Sequence, residues 1–184
     1  MDLPFELEDE VEERIAADPQ WREGVEWGKA RRGHPEGAVK HHIADVLSNV
    51  DAVATSPAER GRLRLAALVH DTFKYRAPEG SARVGSPDHH GSHAARFLER
   101  FVDDDELIEV VRWHDDAFAA WVGLVKRGDG RRAENRARAL VERLGPALPL
   151  FVRFFRADNG TGDKSPKSVE WFEQIAAREL ERHP

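Results

Sequence analysis

The chain has 184 residues, 40% hydrophobic and 34% charged, with a formal net charge of -6 at pH 7. That length suits one compact domain with a core of its own. The acidic balance argues against a general nucleic-acid binder, the lack of cysteine excludes disulfides and thiolate chemistry, and no apolar run approaches membrane-spanning length.

The opening stretch, "MDLPFELEDEVEER", is acidic where a signal peptide would be basic, so a cytoplasmic protein is expected. Asp18-Pro19 joins an N-cap to a proline at the first helical position. It predicts a helix carrying Trp21, Val25 and Trp27 and stopping near Gly33. A second helix is expected over about 35–54. A third starts at the Ser56-Pro57 pair and climbs to His70. The loop "RAPEGSARVGSPD" follows, long enough to be functional. Further helices are expected over 88–101, 104–114, 131–144, 147–158 and 166–182, with turns at "RGDG" and "NGTGDKSP". Alternating strand patterns are absent, so the fold class expected is all-α, in a single domain spanning 1–184. Its motif-bearing core covers about 35–163, behind an N-terminal helical extension and ahead of a C-terminal helix.

Several apolar helix faces end on His or Asp. Ile43, Val46, Leu47, Val50 and Val53 share a face, with His42 at its edge and His41 on the opposite side. Leu63, Ala66 and Ala67 lead to His70, with Asp71 next to it. Leu107, Val110 and Val111 lead to His114, followed by Asp115 and Asp116. Phe151, Phe154 and Phe155 lead to Asp158, while Arg153 and Arg156 point elsewhere. His89, His90 and His93 open the helix whose apolar face is Ala94, Phe97, Leu98 and Phe101. A single histidine on a helix face is more often a hydrogen-bonded core residue, and His34, His41 and His183 are expected at the surface. Five such segments together point to a His/Asp metal site, because imidazole and carboxylate are the usual ligands where thiolates are lacking.

The order His42, His70-Asp71, Asp158 resembles the HD-domain superfamily of metal-dependent phosphohydrolases. "AALVHDTFKY" is similar to its His-Asp segment, "HHIADVL" to its first-ligand helix and "RADNG" to its last-ligand segment. The run "HDTFKY…DHHGSHAARFLERF…ELIEVVRWHDD" is similar to HD domains with two extra histidines, as in CCA-adding tRNA nucleotidyltransferases and small nucleotide hydrolases. The resemblance implies an HD-type helical bundle. It implies His42, His70, Asp71 and Asp158 as metal ligands, with His90 and His114 for a second ion. His90 competes for that role with His89 and His93. Relatives often carry glycine where this chain has Phe73. No nucleotidyltransferase catalytic segment is present, so tRNA-end building is not implied.

By the same resemblance, one or two divalent ions (Mn, Fe, Co, Ni, Zn or Mg) would activate water against a phosphate ester. Asp71 would bridge the ions and Lys74 would offset phosphate charge. His93 or Asp115 would donate a proton or hold a metal ligand in place, and Arg76 and Arg83 are further phosphate candidates. The expected partner is a small phosphorylated substrate, a nucleotide by preference. The basic stretch 126–143 and Trp113 or Trp121 are candidate nucleotide contacts, though a solvated face and core packing are the commoner uses of such residues. The alternatives are an HD-fold di-iron oxygenase and a non-catalytic metal-stabilised binding or regulatory module.

Overall fold

Asp9, Asp18, Ser56, Asp104 and Asp129 each accept a backbone N–H at a helix start, satisfying amides that have no partner inside the helix. The computed structural model describes residues 2–30, 37–77, 82–162 and 164–182. Among them it has ten α-helices and no strand. They are α1 (Glu10–Ala17), α2 (Pro19–Val25), α3 (Val39–Val53), α4 (Pro57–Val69), α5 (His90–Leu98), α6 (Asp105–Trp113), α7 (Asp116–Arg127), α8 (Gly130–Leu144), α9 (Leu148–Asn159) and α10 (Lys167–Arg182). A 3-10 turn, Gly145–Ala147, joins α8 to α9. No helix among the described residues is long and apolar enough to cross a membrane.

The all-α expectation agrees with this architecture, with differences at the ends of the elements. The helix opened by Asp18-Pro19 stops at Val25, so Trp27 lies beyond it. The expected stop at Gly33 and start at Pro35 lie outside the described residues, as do His34 and His183. The next helix starts at Val39. Sequence reading also passed over α1, whose acidic first turn follows Asp9, and α7, where "AFAAWVGLV" lacks a clean polar face.

The helices share one hydrophobic core, running from Ile15 on α1 to Ala176 on α10. Its centre is aromatic: Phe151 and Phe155 of α9 pack edge-on to Phe172 of α10. Helix α3 packs along α9, α4 against both, α5 along α6, and α10 closes the α7–α8 hairpin. This arrangement points the ends of α4, α6 and α9 and the starts of α3 and α5 toward one place.

Two contacts brace α4, the helix that carries His70 and Asp71 at its end. Arg64 is buried and forms a two-point ion pair with Glu12 of α1, at 2.7 and 2.9 Å, and also donates to the Glu6 carbonyl. Trp21 of α2 donates its indole N–H to the Leu68 carbonyl at 2.8 Å. Gly24 lets α2 approach this turn: a Cβ there would lie 1.8 Å from the Thr72 carbonyl oxygen.

Candidate metal centre

Five apolar stripes deliver their polar ends to one buried cluster. His42, His70, Asp71, His90, His114 and Asp158 are each less than a tenth exposed. The stripe residues behind them, among them Ile43, Ala66, Val110 and Phe154, are buried too, whereas His41 on the opposite face of α3 is exposed. The helical period therefore placed the inward histidine correctly.

Asp71 is the hinge of the arrangement. Its Oδ2 lies 3.6 Å from Nε2 of both His42 and His70. Its Oδ1 lies 3.5 Å from Nε2 of His90 and 3.4 Å from Nε2 of His114. Asp158 completes the first group, with Oδ1 at 3.0 Å from His42 Nε2 and 3.8 Å from His70 Nε2. Within each group the imidazoles face each other, at 3.2 Å for His42 and His70 and at 3.2 Å for His90 and His114.

The tautomers follow from the neighbours. Nδ1 of His70 lies 3.0 Å from the Ala67 carbonyl and Nδ1 of His114 lies 2.8 Å from the Val111 carbonyl. A carbonyl only accepts, so each Nδ1 carries the proton and, in the neutral ring, each Nε2 presents a lone pair to the cluster. Burial holds His70 neutral, lowering its pKa to about 3. Lone pairs and carboxylate oxygens crowded this closely repel unless a cation lies between them. Asp71 Oδ1 is buried and accepts no hydrogen bond among the described residues, a costly state for a lone carboxylate oxygen.

The donor set fits divalent metal. Metal–nitrogen and metal–oxygen bonds of about 2.1 Å put neighbouring ligand atoms about 3.0–3.4 Å apart, close to the spacings seen here. Ligand atoms of His42, His70 and Asp71, and of Asp71, His90 and His114, lie within 4.8 Å of one another in each group. A third such group joins His89, His90 and Asp115.

Charge around the centre is strongly coupled. Burial alone would raise the carboxyl pKa of Asp71, but Lys74, at 2.6 Å from Oδ2, and the histidines hold it well below the usual range. Burial is likewise outweighed at Asp158, by Lys164 at 3.0 Å and by His42 and His70. It is outweighed at Asp115 by His114, His90 and Lys74, which hold that carboxyl low. His90 is also buried, but the nearby carboxylates of Asp115, at 3.1 Å, and Asp71, at 3.5 Å, raise its pKa to about 9.

Of the three competing histidines, His90 reaches Asp71. His89 caps α5, with Nδ1 accepting from the Gly91 amide, and its Nε2 lies 3.7 Å from Asp115. His93 is not brought into the cluster. It sits a further three residues, about 4.5 Å, along the helix, beside Arg96 at 2.9 Å and with its ring stacked on Phe73. Phe73 is buried against Phe97. Arg76 lies over Phe73 and Tyr75 and donates to the Tyr75 hydroxyl.

The sequence reading missed Thr161 and Lys164. Thr161 donates to the Asp158 carbonyl and offers its oxygen to His42 Nδ1 at 3.4 Å. Both residues sit in "NGTGDKSP", whose Gly, Asn and Pro signal a turn and hide its closeness to Asp158. The only available signal was a lysine six residues after a carboxylate that lacked a partner.

Comparison with family models, with curated proteins and with solved structures returns no match to this chain. Fold and site define its class: an all-α protein with a buried His/Asp centre able to hold metal.

Proposed function

We propose that this chain is a metal-dependent phosphohydrolase of the HD type, acting on a nucleotide or another small phosphate ester. One observation carries the reading. The Asp71 carboxylate offers one oxygen to each of two His groups, with the Lys74 ammonium beside it. This suits a carboxylate that bridges two cations, next to a fixed positive charge for an anionic substrate.

In this reading His42, His70, Asp71 and Asp158 would hold one divalent ion, and His90 and His114, with Asp71 shared, would hold a second. When bound, such ions polarise a phosphoryl oxygen and lower the pKa of water. The chain's own residues do the rest. The Ala67 and Val111 carbonyls fix the tautomers of His70 and His114, so lone pairs face inward. Lys74, 12% exposed at its side chain, offsets charge on a phosphate at the rim. Asp115, with a third of its side chain exposed and its carboxylate held ionised by His114, His90 and Lys74, would orient an attacking water by accepting its hydrogen bond. The nitrogen and oxygen donors suit Mn, Fe, Co, Ni, Zn or Mg.

A panel of nucleoside mono-, di- and triphosphates, assayed for phosphate release, tests this. Hydrolysis is expected, lost on chelation and restored by a divalent metal. Tightly bound iron with no phosphate release from any substrate would contradict it and favour oxygen chemistry.

A further inference from the structure

Beside the metal centre lies a groove of about 740 Å³, within the usual range for small-molecule sites. It runs between α7 and α8 and is also lined by the loop containing Arg83 and Gly85. The sequence explains its shape. On α7 the lining positions are Asp116, Ala119, Ala120, Gly123 and Arg127, a single helix face with a floor of small residues. On α8 the same spacing gives Arg132, Asn135, Arg136, Ala139 and Arg143.

The walls are strongly cationic in a chain that is acidic overall. Five arginines line the groove (83, 127, 132, 136 and 143) against two aspartates. Asp116 is occupied by Arg136 at 2.5 Å, and Asp129 caps α8 by accepting from the Arg132 amide. Arg83, Arg127 and Arg132 have no carboxylate partner among the described residues. Arginine forks match phosphate oxygens two at a time.

Trp113, a candidate base-stacking residue by sequence, is already engaged. Arg143 lies over its ring at 4.1 Å, and its edge packs on Gly85, where a Cβ would lie 1.9 Å from the ring. The groove therefore reads charge rather than a base. Trp121 packs on Trp171 instead. The groove and the metal centre share one corner. Trp113 and Asp116 line the groove, while His114 and Asp115, between them in the chain, face the centre.

We propose that this groove binds the phosphates that are not cleaved, making the substrate a polyphosphorylated small molecule of the nucleoside di- or triphosphate kind. The link to a cleaved phosphate rests on the phosphohydrolase reading; the binding itself does not. Concavity and the net charge of -6 favour a nucleotide-sized ligand over a polynucleotide.

The test is calorimetric titration of the metal-loaded protein with inorganic triphosphate and with orthophosphate, in buffers of equal ionic strength. Wild type is expected to bind triphosphate at least about tenfold more tightly than orthophosphate. The doubly substituted Arg127→Gln, Arg132→Gln protein should lose at least about tenfold in triphosphate affinity, with its melting temperature kept because both side chains are exposed. Arg14→Gln on α1 removes a charge elsewhere and should change nothing. Asp71→Asn, which disturbs the metal centre, should keep triphosphate binding, showing that the groove and not a chelated ion holds it. Binding that survives the double substitution, binding lost in Asp71→Asn, or a preference for a single-stranded oligoribonucleotide would each overturn the proposal. Absence of hydrolysis with binding intact would sink the phosphohydrolase reading alone.

Discussion

Lys74 shows how much one residue carries at this site. Its ammonium lies 2.6 Å from Asp71 Oδ2 and is largely buried, so it is a fixed charge rather than a solvated one. If it acts on the substrate, Lys74→Met should leave metal content unchanged and lower kcat by about 10²–10³-fold, the usual cost of removing one charge-stabilising donor. Elemental analysis beside steady-state kinetics checks this, and a loss of metal together with kcat, both restored by added divalent metal, would make Lys74 a structural partner of Asp71. At this scale the sequence was informative about buried ends of stripes. His70, His114 and Asp158 each close a run of apolar residues at helical spacing, His42 opens one, and each is buried in the cluster. His89, His90 and His93 show the limit: the local pattern left the three competing, and the packing of α5 along α6 brings His90 to Asp71.

At the scale of elements, the aim of Asp71 depends on helices that carry no ligand. Helix α1 clamps α4 through Glu12 and Arg64, both buried. Removing Glu12 takes the two-point partner from the buried Arg64 guanidinium and leaves it only Glu8, at 2.9 Å, and the Glu6 carbonyl, so Glu12→Ala should lower stability by about 3 kcal/mol in denaturant titration. The double substitution Glu12→Met, Arg64→Met removes both charges and should recover most of that loss; equal losses in the single and double variants would contradict the pairing. Helix boundaries with a cap and proline, at Asp18-Pro19 and Ser56-Pro57, were legible because capping is local chemistry. Helix α7 was not. Its polar face is small residues that form a groove wall, so it lacks the charged stripe that usually marks a surface helix.

For the whole molecule, gathering histidines and carboxylates in one core makes stability depend on pH. In the metal-free chain, His70 is lowered by burial to about 3, so between about 6.5 and 3 the unfolded state binds the extra proton and stability falls as pH drops. Asp71, Asp158 and Asp115, all held below their ordinary range, are protonated more readily in the unfolded chain and add to that acid loss. His90 acts in the opposite sense. Despite burial, Asp115 and Asp71 raise it to about 9, so its contribution is complete below about 6.5 and fades as pH rises through 9. Melting curves of chelated protein should therefore peak near pH 6.5–7 and decline on both sides. Metal bound to a neutral His90 removes the alkaline decline. A metal-free profile flat from pH 4 to 9 would contradict this charge arrangement.

The central claim is that Asp71 joins two metal-binding groups, and metal counting tests it most directly. Elemental analysis of purified wild type beside Asp71→Ala and His114→Ala should find about two divalent ions per chain in the wild type. His114→Ala should fall to about one, and Asp71→Ala should lose both or nearly so. No metal in the wild type after reconstitution with Mn, Fe, Ni or Zn, or a single ion indifferent to His114→Ala, would contradict the two-group centre.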